Sequence, residues 1–138
     1  MFIVEATVLA VGIDGKAKAL QELPIRLLLM NTGAEAVACL REEEIGTVIS
    51  QWELVDMRDG KFIRNVVAAK PTMPTIAFVE AGDQRQEIAA RSLGVSAVLT
   101  DDTNEAYFRE VVCQILGLSN LSRLKATSRA SKKYRLPG

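Results

Sequence analysis

The chain of 138 residues contains no histidine, which excludes catalysis by a histidine base and most zinc sites. It has only two cysteines, Cys39 and Cys113, and both stand among apolar residues. Two cysteines make no disulfide framework, so we expect buried thiols in a reducing compartment. No apolar run is long enough to span a membrane, and residues 1–5 lack the basic start of a signal peptide. We therefore expect a cytoplasmic protein without a membrane span, a metal or a cofactor.

The charge is balanced overall but unevenly placed. The chain carries 17 basic and 17 acidic residues, and 49% of its residues are hydrophobic, as in globular proteins. Residues 119–138 contain no acidic residue and six basic ones, namely Arg123, Lys125, Arg129, Lys132, Lys133 and Arg135. The remainder is acidic. The length indicates one domain, which we place at residues 1–118, followed by a basic tail at residues 119–138.

Several functions for the basic tail stay open. It has the charge to bind nucleic acid through phosphate contacts, or to dock on an acidic protein, including the acidic body of its own or another copy. Its apolar residues form only a weak stripe for an acidic membrane surface. A solubilising chain end is the remaining alternative.

Five short apolar segments alternate with five segments of helical periodicity. The predicted strands are residues 7–11, 25–30, 47–50, 75–79 and 95–99, and the predicted helices are residues 16–22, 34–44, 61–69, 84–93 and 104–116. The strands show little polar alternation, as expected when both faces of a sheet are covered. Right-handed crossovers then favour a flavodoxin-like, doubly wound parallel sheet of order 2-1-3-4-5, with helices on both faces.

The sequence also predicts several helix boundaries. We expect Thr32 to cap the second helix, Asp83 to open the fourth, Asp102 or Thr103 to cap the fifth, and Gly117 to end it. The predicted buried stripe of the second helix consists of Ala34, Val37, Ala38 and Leu40.

Residues 46–60 read Gly-Thr-Val-Ile-Ser-Gln-Trp-Glu-Leu-Val-Asp-Met-Arg-Asp-Gly. This stretch resembles the third strand and following loop of response regulator receiver domains, the CheY-like superfamily of bacterial two-component systems. Asp59-Gly60 matches the family's Asp-Gly, and residues 94–98 match the entry to its fifth strand. The resemblance covers roughly residues 7–118. It implies that an aspartate at the end of the third strand accepts a phosphoryl group, and Gln51 stands at that position.

The resemblance implies further pocket positions, and this chain departs from the family at each. The two carboxylates that help to hold Mg²⁺ fall on Gly12 and Ile13, the hydroxyl on Val79, and the lysine on Asp101. The amide of Gln51 cannot form an acyl phosphate, and Asp101 repels a phosphoryl dianion. The pocket is therefore predicted to be degenerate, and the protein a pseudo-receiver rather than an enzyme.

Acidic residues elsewhere offer an alternative. Five of them are predicted near the same sheet edge, namely Asp14, Glu53, Asp56, Glu80 and Asp101. A cluster of carboxylates can bind Mg²⁺ or share protons at raised pKa. The other interpretation is that these are solvated loop residues that cap helices.

Receivers commonly pair through their fourth helix, fifth strand and fifth helix, and the resemblance implies such a surface here. Its residues are Arg85, Gln86, Arg91, Val98, Asp102, Glu105 and Arg109, of which Val98 is also expected in the core. Mixed charges suit a self-complementary two-fold contact, and an ordinary solvated face is the alternative. For Trp52 we keep two hypotheses, an exposed partner contact and a partly buried loop anchor.

These observations favour a phosphorylation-independent protein-interaction module in bacterial signalling. The alternative is a flavodoxin-like domain that binds a small molecule in the vacated pocket near Gly12, Gln51 and Val79. An enzyme has the least support, because the sequence presents no nucleophile beside a base.

Overall fold

The computed structural model describes residues 6–117, so the predicted tail lies outside the described residues. Its strands are β1 (Ala6–Val11), β2 (Ile25–Met30), β3 (Thr47–Gln51), β4 (Thr75–Val79) and β5 (Ala97–Thr100). A 3₁₀-helix (Asp14–Leu20) follows β1, and the α-helices are α1 (Gly33–Glu42), α2 (Lys61–Ala69), α3 (Gln84–Ser92) and α4 (Glu105–Leu116). The fourth and fifth predicted helices are thus α3 and α4.

The five strands form one parallel sheet in the order β2-β1-β3-β4-β5, which confirms the predicted flavodoxin-like fold. The parallel register runs to the strand ends: Val11 pairs with Ser50, Gln51 with Phe78, and Val79 with Thr100. Because all strands run the same way, their last residues meet at one edge of the sheet.

Helices cover both faces of the sheet, as the apolar strands predicted. On one face, the 3₁₀-helix and α4 pack Leu20, Phe108 and Val112 against strand residues. On the other face, α1, α2 and α3 contribute Ala36, Phe62 and Ala90. Cys39 and Cys113 are buried as free thiols, and burial raises the pKa of the Cys39 thiol. Within residues 6–117, no helix combines the length and apolar composition that a membrane span requires.

The first helical segment differs from its prediction. It begins at Asp14 rather than at residue 16, ends at Leu20, and is a 3₁₀-helix in which Lys16 N–H donates to Ile13 C=O at 2.8 Å. The connection must return along the length of β1 and β2, which have six residues each and rise roughly 20 Å. Seven residues rise roughly 14 Å as a 3₁₀-helix but only about 10 Å as an α-helix. The tighter helix therefore returns the short connection closer to the start of β2, before Pro24.

The predicted stripe of α1 is wrong by one or two positions. Thr32 caps the helix as expected, since its Oγ1 accepts from Glu35 N–H at 3.1 Å. Ala36 and Cys39 are buried, whereas Ala34 and Ala38 are exposed. Alanines at 34, 36 and 38 give no periodic contrast, so the sequence alone did not identify the inner face. Val37 and Leu40 are half-buried and pack against the core, as predicted.

The predicted cap of α4 is also wrong. Asn104 occupies that position, and its Oδ1 accepts from Tyr107 N–H at 2.8 Å. Thr103 instead accepts from Thr100 N–H, and Asp102 accepts from the Thr100 hydroxyl, so both polar side chains serve the turn after β5. Asp83 caps α3 and Gly117 ends α4 with φ of 77°, both as predicted.

Gly60 allows the closest backbone approach in the loop between β3 and α2. Its φ is 71°, and a Cβ at this position would lie 2.3 Å from Cζ2 of Trp52. Trp52 is only 1% exposed, so its ring cannot move aside without disturbing the core. The glycine is needed for both the left-handed backbone and the space above the indole ring.

We expect Gly60→Ala to lower the free energy of unfolding by about 3 kcal/mol, since backbone strain and overpacking add. Gly94→Ala is the matched control, because Gly94 has φ of 82° but a Cβ there meets nothing within 4 Å. Strain alone predicts a loss of about 1 kcal/mol for the control. Urea unfolding of both variants measures the difference. Equal losses would contradict the proposed contact with Trp52.

Candidate functional site

The carboxyl edge of the sheet brings together three of the five predicted pocket positions. Gly12 follows β1, Gln51 ends β3 and Asp101 follows β5. The Gln51 side chain donates from Nε2 to Oδ1 of Asp101 at 3.2 Å. A Cβ on Gly12 would lie 3.5 Å from Cγ of Gln51 and 2.9 Å from Cδ2 of Leu54. At this edge, the amide of Gln51 and the carboxylate of Asp101 are therefore hydrogen-bonded to each other beside Gly12, which has no side chain.

The other two predicted pocket positions face the core. Ile13 is 2% exposed and packs in the cluster beneath the 3₁₀-helix and α4. Val79 is 1% exposed and packs in the cluster on the opposite face. Neither side chain offers an oxygen or an N–H group, so these two positions supply no ligand for phosphate or Mg²⁺.

Two of the five edge acids bind backbone groups. Asp56 lies in the loop after β3, and its two carboxylate oxygens accept from Gly33 N–H at 2.8 Å and Ala34 N–H at 2.9 Å. These groups begin α1 and have no partner within the helix. The two hydrogen bonds hold the pKa of the Asp56 carboxyl below its ordinary value. Asp56 is thus a capping residue that ties this loop to α1.

Glu53 fixes the same loop from within. Its Oε1 accepts from Asp59 N–H at 3.1 Å and from Arg58 Nε at 2.9 Å. The hydrogen bond from the backbone N–H of Asp59, and then the hydrogen bond from the side chain of Arg58, lowers the pKa of the Glu53 carboxyl. Over residues 6–117, acidic and cysteine side chains form no group of three suited to a metal ion. The arrangement favours the helix-capping interpretation for Asp56 and makes Glu53 a loop residue, whereas Asp14, Glu80 and Asp101 cap no helix within the described residues.

Trp52 is buried, so the hypothesis of an exposed partner contact is wrong. The ring lies beneath Gly60, and the Arg64 guanidinium stands over it at 5.2 Å from the ring centroid. The residue anchors the loop more completely than predicted, because the apolar ring is covered by α2 as well as by the loop. A tryptophan beside a polar strand end gave no sequence signal that distinguished the two hypotheses.

Comparison with solved structures finds this fold in bacterial receiver domains. The signal receiver domain of an HD domain-containing protein from Pseudomonas fluorescens Pf-5 superposes with a TM-score of 0.74 at 18% identity, covering 83% of this chain and 96% of that one. The chemotaxis response regulator CheY4 of Vibrio cholerae gives 0.70 at 18% identity, with 81% and 99% covered. The receiver domain of a putative Luxo repressor protein from Vibrio parahaemolyticus gives 0.73 at 16%, with 88% and 97% covered.

The chain has the receiver-domain fold. Its sequence matches no protein-family model and no curated protein. The likeness therefore concerns the backbone, and the residues at the edge of this receiver fold must be judged by their own chemistry.

The predicted surface of the receiver fold, α3, β5 and α4, divides into exposed and internally engaged residues. Arg85, Asp102 and Glu105 are exposed, and Val98 is half-buried against the core. Gln86 accepts from Glu80 N–H at 2.8 Å, and Arg91 pairs with Glu87 at 2.9 Å. Mixed charge thus persists on this surface, though some of its polar groups already have partners.

The prediction that Arg109 belongs to the exposed surface is wrong. Its Nε donates to the Ala19 carbonyl at 2.9 Å, so the side chain is half-buried and joins α4 to the 3₁₀-helix. The prediction missed two exposed apolar residues, Ile88 on α3 and Tyr107 on α4, which are 63% and 55% exposed. Helical periodicity could have found both, because each lies off the buried stripe of its helix.

We expect Asp56→Asn to lower the thermal midpoint at pH 7, because the amide NH₂ cannot accept a hydrogen bond from the start of α1. The ionised carboxylate stabilises the fold above its ordinary pKa of about 4, and this contribution is lost as pH falls through the lowered folded-state pKa. The midpoints of wild type and variant should therefore converge in acid.

Asp14→Asn is the control, since the Asp14 side chain makes no hydrogen bond or ion pair within the described residues, and its substitution should change the midpoint little. Scanning calorimetry from pH 7 to pH 3 measures all three proteins. A difference between wild type and Asp56→Asn that stays constant with pH would contradict the capping role.

Proposed function

We propose that this protein is a pseudo-receiver, a bacterial signalling module that works in the cytoplasm through protein contacts and without phosphorylation or catalysis. The observation that carries the proposal is the pairing of Gln51 with Asp101 at the strand ends. A phosphoacceptor must be an anionic nucleophile. Here the acceptor position is a neutral donor, and the position of the cationic lysine carries the anion.

The surroundings of the pair support the same conclusion. Ile13 and Val79 are core residues, so neither position places a metal ligand or a phosphate donor beside Gln51. Leu54 lies against Gly12, which leaves less space where a phosphoryl group would enter. The same contact gives no support to a small-molecule site near Gly12, Gln51 and Val79.

We expect neither the wild-type protein nor Gln51→Asp to gain a phosphoryl mass when incubated with Mg²⁺ and acetyl phosphate. The variant restores a nucleophile, but this carboxylate faces Asp101, where like charges repel, and Gly12 and Ile13 still supply no carboxylate to help hold Mg²⁺. Intact-mass spectrometry measures the product, with a phosphorylatable receiver as the positive control. Stoichiometric, Mg²⁺-dependent modification of the wild type would overturn the proposal.

The contacts are proposed to run through the surface formed by α3, β5 and α4, as a two-fold homodimer. β5 is one of the two edge strands of the sheet, and the exposed Ile88 and Tyr107 lie on the helices before and after it. Apolar groups within a rim of mixed charges, including Arg85 and Glu105, suit a self-complementary contact.

We expect Ile88→Arg to weaken self-association about tenfold or more, because it places a charge in the apolar centre of the contact. Val55→Arg is the matched control, since Val55 is 83% exposed in the loop between β3 and α2. Sedimentation velocity of the full chain over a concentration series measures both. A wild-type protein that stays monomeric, or a control that dissociates equally, would contradict this dimer.

A further inference from the structure

A groove runs along the outer edge of the sheet, between β2 and α1. We call it the edge groove; its volume is about 550 Å³. Apolar residues Leu28, Leu29 and Met30 line it from the strand, and every charged residue that lines it is acidic, namely Glu35, Glu42 and Glu43. Leu29 is 46% exposed, which is high for a strand leucine. The edge groove thus combines uncovered apolar surface with negative charge.

β2, which lines the groove, is an edge strand of the sheet. β2 pairs with β1 alone, so its outer edge has no strand partner within residues 6–117. Proteins usually cover or charge such an edge, because its free N–H and C=O groups invite another chain. Arg26 lies on this strand and pairs with Glu43 at 2.8 Å, yet the apolar residues farther along remain open to solvent.

Residues 119–138 have the complementary composition. They contain the six basic residues named above and no acidic one. Leucines at 121 and 124 stand beside Arg123 and Lys125, so apolar and cationic groups alternate closely in the sequence. Such a segment can place apolar side chains on Leu29 and cations beside the glutamates.

The point where the described chain ends also suits the edge groove. Helices of a parallel sheet return from the carboxyl edge to the amino edge, so Gly117 and the end of α1 share one end of the molecule. Glu42 and Glu43 lie at that end. Crossing four strand spacings takes roughly 20 Å, which about seven extended residues cover. The rest of residues 119–138 is then free to lie along the groove.

The charge of the edge groove distinguishes it from a second apolar groove. It lies between α1 and α2, has a volume of about 280 Å³, and is lined by Val37, Leu40 and Phe62 among others. Its charged residues are Arg41 and Lys70, both basic. A basic segment is repelled there and attracted to the edge groove on the other side of α1.

We propose that the basic tail, residues 119–138, lies in the edge groove of its own chain. The contact covers the free edge of β2 and the exposed side chain of Leu29. Salt or a competing polyanion should release the tail from the groove. Release exposes the groove and the basic residues at the same time, so that both can bind other molecules.

Paramagnetic broadening in the full chain tests the contact. A nitroxide is attached at Ser128→Cys in a chain that also carries Cys39→Ala, because Cys39 lines the edge groove, whereas Cys113 stays unlabelled because it is buried. The amide signals of Leu28, Leu29 and Ala38 should lose most of their intensity. Those of Asn65 and Ala69, beside the second groove, should not. In about 1 M NaCl, where the Debye length is about 3 Å, the lost intensity should return.

Glu42→Lys should restore the signals at low salt. The side chain of Glu42 makes no hydrogen bond or ion pair within the described residues, so the variant should fold normally, which the remaining spectrum checks. Glu80→Lys is the matched control. It makes an equal charge change after β4, at the carboxyl ends of the strands, and should leave the broadening intact.

Two results would overturn the proposal. Broadening that is absent, or centred outside the edge groove, shows that the tail does not lie there. Broadening of isotope-labelled, nitroxide-free protein by unlabelled, nitroxide-bearing protein shows that the occupant comes from a second copy.

Discussion

Burial of the sheet on both faces is the constraint on which the other features depend. Strand residues such as Val8, Ile49 and Phe78 are fully buried, and the helices that cover them return each strand to the same direction. Parallel strands must end together, so the residues after β1, β3 and β5 meet at one edge whatever their chemistry. The fold therefore brings these loop residues together at one place, whatever side chains they carry.

The contacts at that edge favour one arrangement of the loop between β3 and α2. Trp52 packs beneath Gly60, Glu53 accepts from Asp59 N–H, and Asp56 caps α1. A ligand-driven switch requires two arrangements with different affinity for the ligand. In the proposed pseudo-receiver, Gln51 is not an anionic acceptor and Asp101 repels phosphate, so the pair does not distinguish two such states by binding phosphate. Any control of this module is then expected at its exposed surfaces.

The strands and the placement of Gln51 beside Asp101 follow from sequence, because short apolar runs bounded by turns fix where parallel strands end. Side-chain direction was harder to predict. Arg109 reaches the Ala19 carbonyl across 90 positions, and no local pattern encodes that contact. Alanine-rich α1 gave no periodic contrast, and Asn104 competed with two equally plausible capping residues. Trp52 was ambiguous because burial of a loop residue depends on how α2 packs.

The preserved Asp59-Gly60 pair can be explained without phosphorylation. Asp59 has φ of 58° and Gly60 φ of 71°, and this turn aims Asp59 N–H at Glu53 and admits the Trp52 ring. The same residues begin α2, since Arg64 N–H donates to Gly60 C=O at 2.8 Å. These packing contacts account for the pair whether or not position 51 accepts a phosphoryl group. A motif shared with receivers in this loop is therefore evidence for the backbone geometry, and the chemistry must be judged at Gln51.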